Sequence, residues 1–124
     1  MRDPMRFKVL AQAEELIVAT YAATAAFPPG ERFGLTAQMR RAAVSVGSNI
    51  VEGCHREGTR ALIAFLHYAL GSAAEVQFQV RMARRLGMAD SAQLESVHAR
   101  ATECKKMLAR LIVRLRSSDP RGPR

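Results

Sequence analysis

Glu52 and Glu75 are the side chains of this sequence best suited to chemistry. Each lies in a helix-forming stretch, and two carboxylates inside a helical bundle can trade protons or hold a divalent metal. A di-iron carboxylate centre needs a Glu-x-x-His motif on each of two helices. Glu52-x-x-His55 supplies one, but the position three after Glu75 is Phe78. His55, His67 and His98 share no i, i+4 spacing, the separation that sets two imidazoles on one metal along a helix. Cys54 and His55 are neighbours and point to different sides of a regular helix. Ser45 and Ser72 have no nearby histidine to serve as base, and an unassisted hydroxyl is a poor nucleophile. There is no glycine-rich phosphate loop and no nucleophile elbow. We therefore expect no catalytic residue, no metal and no cofactor. An enzyme working through Glu52 and Glu75 is the weakest of three readings.

The same polar residues read more simply as structure. Arg41, Ser45, Asn49 and Glu52 fall at i, i+4, i+8 and i+11, one narrow stripe on a helix. Beside it runs an apolar face of Leu35, Met39, Ala42, Val46 and Ile50, the pattern of a core-facing helix. About one helix later Phe65-Leu66-x-x-Ala69-x-Gly71-Ser72-x-x-Glu75 repeats the theme. The expectation is a polar network of Arg41, Ser45, Asn49, Glu52, Ser72 and Glu75 that fixes helix register. Within it, Arg41 and Glu52 are expected to form a partly buried ion-pair network with Asn49.

These two blocks, with Phe27-Pro28 ahead of them, resemble the four helix bundle protein family, whose founding members are encoded by intervening sequences inside bacterial 23S rRNA genes. The matching residues are Phe27, Pro28, Glu31, Gly34, Leu35, Gln38, Arg40, Arg41, Ser45, Asn49, Glu52, Gly53, Arg56, Phe65, Leu66, Ala69, Gly71, Ser72 and Glu75, continuing weakly into Leu108 and Ile112. The accessory protein of diversity-generating retroelements looks like a relative. The resemblance implies the bundle fold, a closed ring of five subunits, and nucleic acid or a nucleic-acid enzyme as partner. Many members carry proline near position 47. This chain has Gly47 there, which leaves a bend in the second helix open.

The elements that must position these residues follow from apolar period and punctuation. Val9, Ala13, Leu16, Ile17, Thr20 and Thr24 line the inner face of a helix over 8–26, stopped by Phe27-Pro28-Pro29-Gly30, since proline cannot continue the backbone ladder. A second helix is expected over 36–53, with Thr36 as its N-cap. A third, over 59–86, carries the seam Leu62, Leu66, Ala69, Ala73, Val76, Val80 and Ala83, closed by Gly87; that spacing alternates by three and four. A fourth, over 91–116, carries Leu94, Val97, Ala101, Cys104, Leu108, Leu111 and Leu115. Residues 117–124 read as a disordered basic tail. Four long helices with short loops predict one all-α domain over 1–116, an antiparallel up-down-up-down four-helix bundle.

Charge narrows the partners. The net charge is +8, and residues 81–124 hold eleven Lys/Arg against four Asp/Glu, while residues 1–80 hold eight against seven. Such asymmetry points to an anionic partner. Arg81, Arg84 and Arg85 close the third helix; Lys105, Lys106, Arg110, Arg114 and Arg116 line the fourth. Lys106, Arg110 and Arg114 recur every four residues and share one face. No exposed aromatic is interleaved with either group, so any RNA or DNA is expected to bind through phosphates with little sequence preference. The runner-up is a structural oligomer whose basic surface meets an acidic protein. Two cysteines make no disulfide framework, and Cys104 falls on an apolar stripe. Glu14 and Glu15 interrupt the N-terminal apolar stretch that a signal peptide would need. The expectation is a cytoplasmic protein with no run long enough to span a membrane.

The third helix is apolar nearly all round. Opposite its seam lie Phe78 and Met82, with Tyr68, Ala64 and Gly71 nearby on the wheel; Val44 and Val51 form a smaller outward pair on the second helix. A helix of that kind is buried on more than one side, so Phe78, Met82, Tyr68, Val44 and Val51 are the candidates for a homo-oligomer interface.

Overall fold

The computed structural model describes residues 2–4 and 7–118. Four α-helices make up the described chain: α1 Lys8–Thr24, α2 Leu35–Cys54, α3 Thr59–Arg85 and α4 Ser91–Ser117, with a single 3-10 turn at Pro29–Glu31 between α1 and α2. The expected tail lies largely outside the described residues. Helices adjacent in sequence pack on each other, α4 closes onto α1, and diagonal helices do not approach one another. Cross-helix partners run in opposite directions along each pair. Arg84 meets Glu95, Gln77 meets Thr102 and Arg116 meets His67. Arg40 reaches Thr24 on α1, and Glu15 on α1 reaches Arg100 on α4. The bundle is antiparallel throughout.

The core is the set of seams read from the period. Leu16, Met39, Ile50, Leu62, Leu66, Leu94 and Leu108 are its largest fully buried side chains. Fully burying one such side chain contributes about 1.5–3 kcal/mol. Thr20 and Thr24 are also buried, their hydroxyls donating to the carbonyls of Leu16 and Thr20 one turn back, so these polar atoms are satisfied inside α1.

Local chemistry explains the helix ends. α2 starts at Leu35, not Thr36, and Thr36 is a buried residue inside it rather than its cap. The Glu31 carboxylate accepts from the Leu35 backbone N–H at 3.1 Å instead. A Cβ at Gly34 would lie 2.9 Å from Glu31 Oε1, so a larger residue there would push this capping carboxylate aside. At the end of α3 Gly87 has φ +66°. Its N–H donates to the Arg84 carbonyl, and the Met88 N–H donates to that of Ala83, the paired bonds of a Schellman stop. Asp90 caps α4 through the Ala92 N–H at 3.3 Å.

Two glycines set helix separations. Gly47 lies in continuous helix and faces Ile17 and Ala13 of α1 at ordinary contact distance. Gly53 is tighter: a Cβ there would meet Phe65 Cβ at 2.9 Å and the Leu62 carbonyl oxygen at 3.3 Å. Helix α3 also corrects an expectation about length, since it contains a window of mean hydropathy 1.2 and so reaches the length and composition of a membrane span. The apolarity serves two faces, because one side of α3 carries the core seam and the other carries Tyr68 and Phe78.

Candidate functional site

The polar stripe of α2 meets α3 at one point. Ser45 Oγ and Ser72 Oγ lie 2.9 Å apart. The Asn49 side-chain amide donates to both the Ser45 carbonyl and Ser45 Oγ, each at 2.9 Å. These three half-buried residues form one hydrogen-bonded chain between the helices.

The other members of the expected network lie elsewhere. Glu52 is exposed and pairs with Arg56 at 2.9 Å, not with Arg41. Residues eleven apart share a helix face but stand about 16 Å apart along its axis, beyond any ion pair. Arg41 instead lines an open groove of about 410 Å³ with Gln38, Ala42, Ser45 and Glu75. Glu75 accepts from Gln79 Nε2 at 3.4 Å. Glu52 and Glu75 lie on opposite sides of the Ser45–Ser72 contact, about 15 Å apart along the seam, so they are no carboxylate dyad. Among the described residues no group of three or more His, Cys, Asp or Glu is arranged to hold a metal. Burial pushes the Cys104 thiol up to about 11, and burial also raises Cys54. Both are thus poor nucleophiles.

The cationic side chains divide by engagement. Lys105 donates to Gln77 Oε1 at 2.9 Å, Arg116 contacts His67 Nε2 at 3.0 Å and Arg84 pairs with Glu95. Arg110 is 3.9 Å from Glu103. Lys106, Arg114, Arg81 and Arg85 are exposed. Helix α1 adds a cation that the charge pattern of α4 alone did not assign. Lys8, Arg110 and Arg114 rim a cavity of about 290 Å³, floored by Phe7, Val9, Met107 and Leu111. Among the described residues no carboxylate lines it.

On the outer side of α3, Phe78 is 61% and Tyr68 59% exposed, while Met82 is half-buried. Val44 and Val51 are exposed on α2. The two valines line a groove of about 430 Å³ with Leu10, Glu14 and Ile17 of α1, so they face the α1–α2 side rather than extending the α3 patch. Gly71 has nothing within 4 Å of a built Cβ, and this side of α3 meets no other helix.

The sequence reading passed over two arginine–aromatic pairs where α1 ends and α2 begins. The Arg32 guanidinium lies 5.3 Å from the Phe33 ring centroid, and that of Arg40 lies 4.4 Å from Tyr21. Phe33 is 87% exposed. The signal was available: an Arg-Phe-Gly segment after Pro-Pro-Gly puts an aromatic in a loop, outside any apolar period that would bury it.

Helix order, antiparallel packing and a hydrogen-bonded α2–α3 seam define an all-α four-helix bundle. The sequence matches the 23S rRNA-intervening sequence protein family over residues 5–110, and the chain belongs to that family. A similar solved structure is a protein of unknown function from the S23 ribosomal protein family of Bacteroides thetaiotaomicron. It is 25% identical, with a TM-score of 0.75, and the match covers 84% of this chain and 97% of that one. No curated protein matches the chain. No enzyme family is indicated.

Proposed function

We propose that this protein is a non-enzymatic bundle that binds nucleic acid through phosphates, as an oligomer and with little sequence preference. The observation that carries the reading is the α4 face of Lys106, Arg110 and Arg114, exposed and joined across the helix boundary by Lys8. Successive members rise about 6 Å along α4, so the face offers a row of cations rather than one pocket. Glu103 lies 3.9 Å from Arg110 on this face. Phosphate contacts of this kind give affinity and register but carry no base code.

Self-association rests on the exposed Tyr68 and Phe78 of α3. Burying them against a second copy removes apolar surface that no helix of the same chain covers. A closed ring of five, the number that family resemblance suggests, would repeat the basic face around an axis and raise avidity for a polyanion.

Titrating labelled RNA and DNA at low and moderate salt tests the reading. Three phosphate contacts predict roughly a 20–40-fold loss of affinity between 50 and 200 mM salt. No binding at low salt would remove the nucleic-acid reading and leave the oligomer with an acidic protein as its partner.

A further inference from the structure

We propose that the turn bearing Phe33 is a base-stacking platform, so that the nucleic acid bound is single-stranded and at least one base packs on the Phe33 ring. This rests on the nucleic-acid reading above and adds a base contact at the opposite end of the bundle from the Lys8–Arg110–Arg114 cluster.

The turn holds its aromatic outward. Phe27 is buried at one end of the segment. The N–H groups of Glu31 and Arg32 donate to the carbonyls of Pro28 and Pro29, and that of Gly34 to the Glu31 carbonyl at 2.9 Å. The Glu31 side chain then caps α2 at Leu35. Phe33 sits inside this bonded frame, yet the residue is 87% exposed, and the Arg32 guanidinium lies over its ring at 5.3 Å from the centroid. One face of the ring therefore remains open for a flat partner.

The surroundings select an anionic partner with flat rings. The antiparallel order sets the start of α2 and the end of α3 at the same pole as this turn, and that half of the bundle carries Arg32, Arg40, Arg41, Arg81, Arg84 and Arg85 against Glu31, Glu75, Asp90 and Glu95. All four carboxylates have partners: Glu31 and Asp90 cap helices, Glu75 accepts from Gln79, and Glu95 pairs with Arg84, which leaves Arg32, Arg41, Arg81 and Arg85 without a carboxylate partner within 4 Å among the described residues. A base on an aromatic ring beside arginines is how single strands are held without sequence preference. In a duplex the bases are stacked on one another and cannot reach such a ring, so the platform discriminates strandedness.

The chain contains no tryptophan, so Phe33→Trp introduces a sole reporter at the platform. Titrating this variant with oligo(A) RNA at low salt should quench its fluorescence, while an RNA duplex of equal length should leave it nearly unchanged. Phe33→Ser should weaken single-strand binding, read by anisotropy, about five-fold or more, with duplex binding and helical circular dichroism unaltered. Single-strand binding without quenching, and unchanged in Phe33→Ser, would overturn the platform while leaving the phosphate reading in place. Absence of binding to either RNA would overturn both. Quenching or a blue shift caused by anionic phosphatidylserine vesicles, or by raising protein concentration alone, with no response to RNA, would overturn the platform in favour of a membrane or self contact.

Discussion

The hydroxyls of Ser45 and Ser72 meet across the α2–α3 seam at 2.9 Å. This contact orders two helices that otherwise pack through apolar side chains, and it fixes which turn of α2 faces which turn of α3. Ser45 accepts from Asn49, so Ser45→Ala leaves two partners short at once. It should cost about 1–2 kcal/mol, and Ser72→Ala about 0.5–1.5 kcal/mol. In urea melts the double variant should cost less than the sum of the singles, because the two share one hydrogen bond. Strict additivity would show that the two hydroxyls do not interact.

Gly53 and Gly71 should respond to alanine in opposite directions. A Cβ at Gly53 would sit 2.9 Å from Phe65 Cβ, and overpacking of that kind costs about 1–3 kcal/mol. Gly71 is open, so in a monomer Gly71→Ala should stabilise by about 0.5–1 kcal/mol through helix propensity. Thermal melts of both variants check this, and a destabilising Gly71→Ala would indicate a close neighbour from another subunit.

Glu52→Ala should shift stability by no more than about 0.5 kcal/mol, because its pair with Arg56 is a half-exposed i, i+4 contact screened by solvent. A melt lowered by several degrees would place Glu52 in a buried network after all.

Much of the fold was legible because the seams of α3 and α4 keep a strict three-four alternation and end at residues with one obvious role, such as Gly87. The site was less legible. A helical wheel shows which residues share a face but not how far apart they lie, so Arg41 and Glu52 looked like partners. The Ser45–Ser72 contact joins residues on different helices, and its two ends were readable only as separate stripes. Phe33 escaped because periodicity assigns aromatics to cores and is silent about a turn that holds one outside.

Cys104 links stability to alkaline pH. Burial raises its thiol from 9.0 to about 11. The unfolded chain therefore ionises first as pH rises. The stability contributed by keeping this thiol neutral is complete below about pH 9 and is lost as pH climbs toward 11. Denaturant midpoints should fall across that window. At pH 8 the thiolate fraction is on the order of one in a thousand, so a thiol reagent should label Cys104 only as the bundle opens. Prompt labelling of both cysteines in the folded protein would contradict this burial.

The most direct test of the central claim compares the salt dependence of RNA binding in the wild type with that in a triple charge reversal, Lys106→Glu, Arg110→Glu and Arg114→Glu. All three side chains are exposed, so the variant should stay folded by circular dichroism. The wild type should bind RNA at low salt with an affinity that falls linearly on a log–log plot, and losing three phosphate contacts should reduce that slope by about 2–3. Equal affinity and equal slope in the two proteins would contradict the claim that this face of α4 meets the phosphates.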